Sequence, residues 1–208
     1  MSAQIKITVD GQVQQVAADQ RPTHLFQDNA EIVVCKINGE LKDLWSELSD
    51  GDVVESVAIS SSDGLNVLRH STAHVLAQAV QEVFPETKLG IGPPIRDGFY
   101  YDFLFKENIS DADLPKIEKE MLKLSKANQL FVKSIQKKPD AMDLFKNQQF
   151  KMELIDSADE SEGVEDSEVS LYSNNEFIDL CRGPHVPNTG FIKHFKLTRL
   201  GGAYWRGD

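Results

Sequence analysis

The chain has 208 residues, 40% of them hydrophobic and 26% charged, which excludes disorder along its whole length. Its net charge of −11 argues against a protein that binds any polyanion regardless of sequence. A membrane-spanning helix needs about 20 apolar residues, and no apolar run in the sequence is nearly that long. The residues after the first methionine also lack the apolar core of a signal peptide. Two cysteines are too few for a disulfide framework, so we expect a cytoplasmic protein.

The first sixty residues predict a small ubiquitin-like β-grasp module. Alternating apolar and polar residues indicate strands, and Asp10-Gly11, Asn38-Gly39 and Asp50-Gly51 are turn signals. The predicted elements in chain order are strands around Ile5–Val9 and Val13–Val16, a short helix within Pro22–Asn29, a strand Ile32–Ile37, a helix through Leu41–Leu48 and a closing strand Val53–Ile59. The polar stretch Ser60–Gly64 is the predicted domain boundary.

Residues 64–208 predict a larger second domain in which helices and hairpin-linked strands come in blocks. A first helix begins near Asp63 and ends at Phe84-Pro85, and Ser110 with Asp113 resembles the capping box of a second helix. The later predicted elements are a strand Leu130–Gln136, a short helix Pro139–Asn147, and strands Phe150–Ile155, Val169–Tyr172, Glu176–Cys181 and Phe191–Arg199. The predicted fold class is therefore α+β, with helices against an antiparallel or mixed sheet.

Charge is uneven along the second domain. Glu153–Glu168 holds eight acidic residues and no base, whereas Lys193–Arg206 holds four bases and no acid. The acidic run predicts a solvated loop, and the basic stretch is weak evidence for an edge that faces phosphate. A hydrated surface explains both stretches equally well on charge alone.

Two pairs of residues have the spacing of a chemical site. His70 and His74 are four residues apart on a predicted helix, which places both imidazoles on one face. Cys181 and His185 flank Gly183-Pro184, whose turn would let them converge. Three histidines and one cysteine form an acceptable tetrahedral zinc set. A histidine pair alone is more often a core or surface feature, so the combination carries the prediction.

Three separated motifs resemble one family. His70-Ser-Thr-Ala-His74, Gly98-Phe-Tyr-Tyr-Asp102 and Asp179-Leu-Cys-Arg-Gly-Pro-His185 are similar to bacterial threonyl-tRNA synthetases, and so is the closing Gly202–Asp208. The resemblance implies a TGS domain in residues 1–60 and an editing domain in residues 64–208. Members of the family continue into catalytic and anticodon-binding domains, so the resemblance also implies that the chain is an N-terminal fragment.

The resemblance implies an editing activity, hydrolysis of the ester in mischarged Ser-tRNA(Thr). His70 would activate or position the attacking water with an imidazole near its ordinary pKa, and Lys151 would stabilise negative charge or position a water. The other implied site residues would bind the substrate; they are His74, Tyr172, Asp179, Cys181 and His185. Gly90–Pro94 and Phe99–Tyr101 would contact the 3′ adenosine.

The same resemblance implies hydrolysis without a metal. Zinc held by the His/Cys residues is the alternative, as a structural ion first and as a water-activating ion second. ATP, magnesium and a further zinc ion belong to the catalytic domain of the full-length family.

The implied partner is tRNA(Thr), through its aminoacylated 3′ end. We expect the fragment to be a monomer, whereas full-length members form homodimers through the catalytic region. Two other interpretations stay open: a non-catalytic RNA-binding or regulatory module with a structural zinc site, and a free-standing trans-editing enzyme.

Overall fold

The computed structural model of the chain describes residues 3–157, 163 and 167–202. Two compact units contain them: one holds residues 1–68 with 183–187, and the other holds residues 69–182 with 188–208. The fold class is α+β, as the sequence predicts. No helix among the described residues is long and apolar enough to cross a lipid bilayer. Parts of the acidic run and of the closing Gly202–Asp208 motif lie outside the described residues.

The first unit is a five-stranded mixed sheet with one short helix. Strand β1 pairs antiparallel with β2 and parallel with β5, while β3 lies between β5 and β4, giving the order β2-β1-β5-β3-β4. Its elements are β1 (Gln4–Val9), β2 (Gln12–Ala17), α1 (Pro22–Leu25), β3 (Ile32–Ile37), β4 (Glu40–Lys42) and β5 (Val53–Ala58). Asn38 and Gly39 both have positive φ, which suits the tight turn between β3 and β4.

The helix predicted through Leu41–Leu48 is wrong. The β3–β4 hairpin takes the residues up to Lys42 into strand pairing, and turns follow. Leu44 and Leu48 are still buried in the core of this unit, at 5% and 6% exposure. Their helical spacing therefore reflects core contacts made by an irregular segment, because burial and helix formation are separate requirements.

The second unit contains a long helix and a three-stranded antiparallel sheet of order β10-β11-β12. Its larger elements are α2 (Ser62–Val83, which begins in the first unit), α3 (Leu114–Lys126), β10 (Val132–Lys137), α4 (Lys138–Leu144), α5 (Gln149–Asp156), β11 (Glu168–Asn174) and β12 (Phe177–Leu180). Four two-residue strands form two antiparallel pairs, β6 with β9 and β7 with β8; they are β6 (Lys88–Leu89), β7 (Pro94–Ile95), β8 (Gly98–Phe99) and β9 (Phe103–Leu104). Ser110 and Asp113 form the predicted capping box, which leads through a short 3-10 turn into α3.

Two predicted strands of the second unit are wrong. Phe150–Ile155 lies within helix α5, where Lys151, Leu154 and Ile155 are buried at helical i, i+3, i+4 spacing. Phe191–Arg199 begins in a 3-10 turn, Thr189–Phe191, and its remaining residues form no strand. Both segments are rich in apolar and aromatic residues, and over so few residues such composition does not separate helix from strand.

The two faces of the three-stranded sheet carry different kinds of side chain. Leu171 and Leu180 pair across β11 and β12 and pack into a core with α4 and α5. Tyr172 and Asp179 are the next pair along the two strands, so their side chains lie on the opposite face of the sheet. This second face carries polar side chains that the sequence analysis selected, and we call it the site face.

Candidate functional site

Helix α2 places His70 and His74 one turn apart on the same side. All residues from Ser71 to Val80 are buried, so His74 lies inside the protein at 3% exposure. The rings of Phe131 and Phe177 meet its imidazole edge-on, with centroid distances of 5.4 and 5.0 Å. Desolvation by this apolar environment lowers the pKa of His74 to about 4, so the ring is neutral at physiological pH.

His70 and Cys181 meet directly. The Nε2 atom of His70 lies 3.0 Å from Sγ of Cys181, which follows the last residue of β12. His70 keeps partial solvent access, but desolvation lowers its pKa to about 4, against the opposing effects of a backbone hydrogen bond with Gly92 and the charge of Asp179. The expectation of an imidazole near its ordinary pKa is therefore wrong. His70 is a neutral and weakly basic group over the physiological pH range.

A buried ion pair lies on the same site face. Nζ of Lys151, from α5, is 2.7 Å from Oδ1 of Asp179, and the two side chains are 1% and 4% exposed. The backbone amide of Leu180 donates a second hydrogen bond to the same carboxylate oxygen at 2.8 Å. An ion pair removed from water costs desolvation energy that close contacts must offset. A buried ion pair of this kind therefore indicates a functional site more than a source of stability.

Tyr101 forms hydrogen bonds with both members of this ion pair. From the sequence it was expected only to contact the adenosine. Its hydroxyl donates to Oδ2 of Asp179 at 2.6 Å and accepts from Nζ of Lys151 at 3.0 Å. Its ring stacks on Phe103 and fills the space next to Gly92, where any Cβ would overlap the ring. The available sequence signal was Gly98-Phe-Tyr-Tyr-Asp102, which does not reveal which tyrosine turns inward.

Tyr172 is fully buried on β11, directly opposite Asp179. On its other side it pairs with Lys133 of β10, whose ammonium lies 5.8 Å from the centre of the Tyr172 ring. The second unit thus brings together six of the seven residues that the sequence analysis selected; they are His70, His74, Lys151, Tyr172, Asp179 and Cys181.

His185 belongs to the short segment 183–187, which groups with the first unit. It is 1% exposed, and its backbone amide donates to Oδ1 of Asp43 at 2.9 Å. The amide therefore anchors this segment to the turn that follows β4.

An aromatic groove of about 760 Å³ lies in the second unit. Phe99, Tyr100 and Tyr101 line it, as do Phe103 and Phe105 and the segment 196–202. Tyr101 therefore belongs to both the groove and the ion pair. Apolar and aromatic walls next to a few polar groups are typical of a small-molecule site.

Known proteins match this chain in two ways. Residues 169–208 match the family model described as "Threonyl and Alanyl tRNA synthetase second additional domain". The threonine–tRNA ligase of Bifidobacterium animalis subsp. lactis is 46% identical over 99% of the chain, and that of Streptomyces griseus is 49% identical over 88%. These matches cover 32% and 30% of the two relatives, so the chain spans about a third of their length. The family resemblance seen in the motifs is confirmed.

Proposed function

We propose that this chain, which resembles threonine–tRNA ligases over 99% of its length, hydrolyses the ester of mischarged Ser-tRNA(Thr). The observation that carries the proposal is the buried Lys151–Asp179–Tyr101 network on the same sheet face as the His70–Cys181 contact. Titratable groups gathered in a partly closed site are typical of catalysis. Activation of threonine and its transfer to tRNA with ATP would belong to parts of the longer relatives that this chain does not cover.

A ligase for threonine needs a second site for a physical reason. Serine has the same β-hydroxyl and lacks only one methyl group. One group of that size gives about 10- to 200-fold discrimination, so a separate hydrolytic site has to remove the errors. The editing site would accept serine and exclude threonine through a clash with the extra methyl group.

The proposed reaction is the addition of water to the ester carbonyl. The water oxygen forms the new bond to carbon, the bond to the ribose oxygen breaks, and one proton of the water passes to that oxygen, so that serine leaves and the 3′-hydroxyl is regenerated. Lys151 would stabilise the negative charge that develops on the carbonyl oxygen, since a positioned cation in a dry site acts strongly. His70 would help to position the water, because a pKa of about 4 makes it too weak a base to remove a proton from water readily.

The remaining site residues would bind the substrate. A carboxylate offers about four acceptor positions, and Asp179 uses three of them for Lys151, Leu180 and Tyr101. The fourth would accept the amino group of serine. His74, Tyr172, Cys181 and His185 would shape the pocket, and the aromatic groove that shares Tyr101 would receive the adenosine.

The domain assignment forms part of the same proposal. Residues 1–60 would be a TGS domain of β-grasp type, which the strand order β2-β1-β5-β3-β4 supports. Residues 64–208 would be the editing domain, which the family match over residues 169–208 supports.

The test is release of amino acid from Ser-tRNA(Thr) and Thr-tRNA(Thr) by the chain, with and without a strong chelator. We expect release of serine only, unaffected by the chelator. Lys151→Met should abolish release, whereas Lys146→Met, which removes an exposed lysine paired with Asp143, should not change it. Equal release of threonine and serine, or full activity of Lys151→Met, would contradict the proposal.

Lys151→Met also leaves Asp179 buried without its partner, which costs about 3–5 kcal/mol. The double variant Lys151→Met/Asp179→Asn removes both charges and keeps Oδ1 as the acceptor for the Leu180 amide, while the new NH2 group can donate to the Tyr101 hydroxyl. It should recover stability but not hydrolysis. If the double variant recovered both stability and hydrolysis, the ion pair would have a structural role and no role in catalysis.

One observation favours a second candidate function. His70 and Cys181 place an imidazole nitrogen and a thiol sulfur 3.0 Å apart, and zinc accepts both kinds of ligand. The chain would then be a non-catalytic RNA-binding module with a structural zinc site. In that case His70→Ala or the chelator would unfold the protein, whereas under the editing proposal His70→Ala would lose hydrolysis and keep the fold.

A further inference from the structure

The site face continues to the edge of the sheet. Lys133, Ile135 and Lys137 of β10 pair in register with Tyr172, Ser170 and Glu168 of β11. Because directly paired residues point to the same side of a sheet, these three side chains extend the face that holds Tyr172 and Asp179. We call Lys133, Ile135 and Arg182 the β10 rim; Lys137 is left out because Glu168 lies opposite it and offsets its charge.

The rim is open to solvent. Among the strands that the structure describes, β10 pairs with β11 alone and forms an edge of the sheet, and Ile135 is 55% exposed. Lys133 and Arg182 are also exposed. A lysine on an edge strand discourages pairing with other strands, so exposure alone does not assign a ligand.

Local charge at this edge is opposite in sign to the net charge of the chain. Residues 123–138 contain five lysines and no acid, in a chain whose net charge is −11. Lys123 is paired with Glu120 and Glu82. No salt bridge joins Lys133 to any residue that the structure describes.

Lys133 is also held at the border of the candidate site. Its ammonium donates to the backbone carbonyl of Arg182 at 3.4 Å and lies over the ring of Tyr172. Arg182 directly follows Cys181, which contacts His70. Lys133 is therefore an exposed cation in contact with the cluster, and the exposed Arg182 is the next residue along the chain from Cys181.

We propose that the β10 rim binds the phosphate backbone of the RNA 3′ strand whose terminal ester enters the site. The inference rests on the proposed function, because it takes the substrate to be an aminoacylated RNA. Lys133 and Arg182 contact phosphates, and Ile135 packs against the sugar–base surface of the strand. The buried network acts on the ester alone, so the rim contributes to binding of the polymer and not to the chemical step.

The experiment compares two substrates that share the ester and differ in the polymer. One is an RNA minihelix carrying serine on its single-stranded 3′ end, and the other is 3′-O-seryl adenosine, which has no phosphate. Binding of the uncharged minihelix is measured separately by fluorescence anisotropy from 50 to 300 mM salt. The variants are Lys133→Glu, Lys133→Arg and the control Lys146→Glu, which makes the same change of charge at an exposed site.

We expect Lys133→Glu to weaken minihelix binding about five- to tenfold and to lower the salt slope by about one phosphate contact. Its KM for the seryl minihelix should rise equally, with kcat and the hydrolysis of 3′-O-seryl adenosine unchanged. Lys133→Arg should behave like the original chain, and so should Lys146→Glu.

Unchanged binding and salt slope in Lys133→Glu would overturn the proposal, and so would an equal loss with Lys146→Glu. Slower hydrolysis of 3′-O-seryl adenosine would also overturn it, because Lys133 would then act within the ester pocket. If the chain hydrolyses neither substrate, the proposed function fails. The anisotropy measurement still decides whether the rim binds RNA.

Discussion

At the scale of single residues, the site depends on which groups are kept charged and which are kept neutral. Lys151 and Asp179 remain in contact although both are buried, while burial lowers the pKa of His70 and His74 to about 4. A neutral imidazole beside a fixed ammonium avoids placing two positive charges in one dry pocket. The site therefore holds one ammonium and one carboxylate at fixed places, next to neutral imidazoles.

Tyr101→Phe is the residue-scale prediction. The variant removes the hydroxyl that donates to Asp179 and accepts from Lys151, so the ammonium loses one of its fixed contacts. Hydrolysis of seryl ester should show kcat lowered about tenfold with KM nearly unchanged, which corresponds to about 1.4 kcal/mol. Tyr100→Phe, at a 41% exposed neighbour, is the control. A rise of KM with unchanged kcat would mean that Tyr101 serves binding alone.

At the scale of elements, close backbone approach positions the network. Tyr101 reaches the ion pair because the loop 90–94 passes next to its ring with a glycine at position 92. The same loop contacts His70 through a backbone hydrogen bond at Gly92. One loop therefore connects both halves of the cluster, and the absence of a side chain at one position makes this possible.

Gly92→Ala tests that dependence. The added Cβ would overlap the Tyr101 ring, so the ring or the loop has to move. We expect a loss of about 1–3 kcal/mol in the free energy of unfolding, measured by urea denaturation, together with a loss of ester hydrolysis. Gly98→Ala is the matched control, since no atom of the described residues lies within 4 Å of a Cβ there. Equal free energies of unfolding for Gly92→Ala and Gly98→Ala would contradict a close approach of Gly92 to the Tyr101 ring.

At the scale of the whole molecule, the two histidines connect folding with pH. Their pKa values are about 4 in the folded chain and near 6.5 in the unfolded chain, so the unfolded state binds protons more readily. The stability they contribute is fully present above about pH 6.5. It is lost as the pH falls towards 4, where the folded protein is protonated as well.

We therefore expect the free energy of unfolding to fall between about pH 6.5 and pH 4, by roughly 3 kcal/mol for the fully buried His74 alone. Urea denaturation at several pH values measures this directly. His74→Gln should flatten the profile, and His194→Gln, which removes an exposed histidine, is the control. If the free energy of unfolding of His74→Gln fell with pH as steeply as that of the original chain, groups other than His74 would cause the loss of stability in acid.

Much of the fold was predictable where a local signal was strong. Turn dipeptides such as Asn38-Gly39 identified the hairpins, and the long apolar pattern identified α2. The segments 41–48 and 150–155 failed because a few apolar residues at short spacing fit several conformations. Pairing with β3 decided the start of the first segment, and burial of Lys151 with Leu154 and Ile155 accompanies the helix in the second.

The sequence by itself determined the family resemblance, the fold class and the residues His70, His74 and Cys181, because their spacing lies within short stretches of chain. The tertiary structure alone decided the partners of Lys151, the inward turn of Tyr101 and the lowered pKa of His70. The contact between Lys151 and Asp179 spans 28 positions and that between Tyr101 and Asp179 spans 78. Desolvation depends on what packs around a group in space, and no local pattern encodes it.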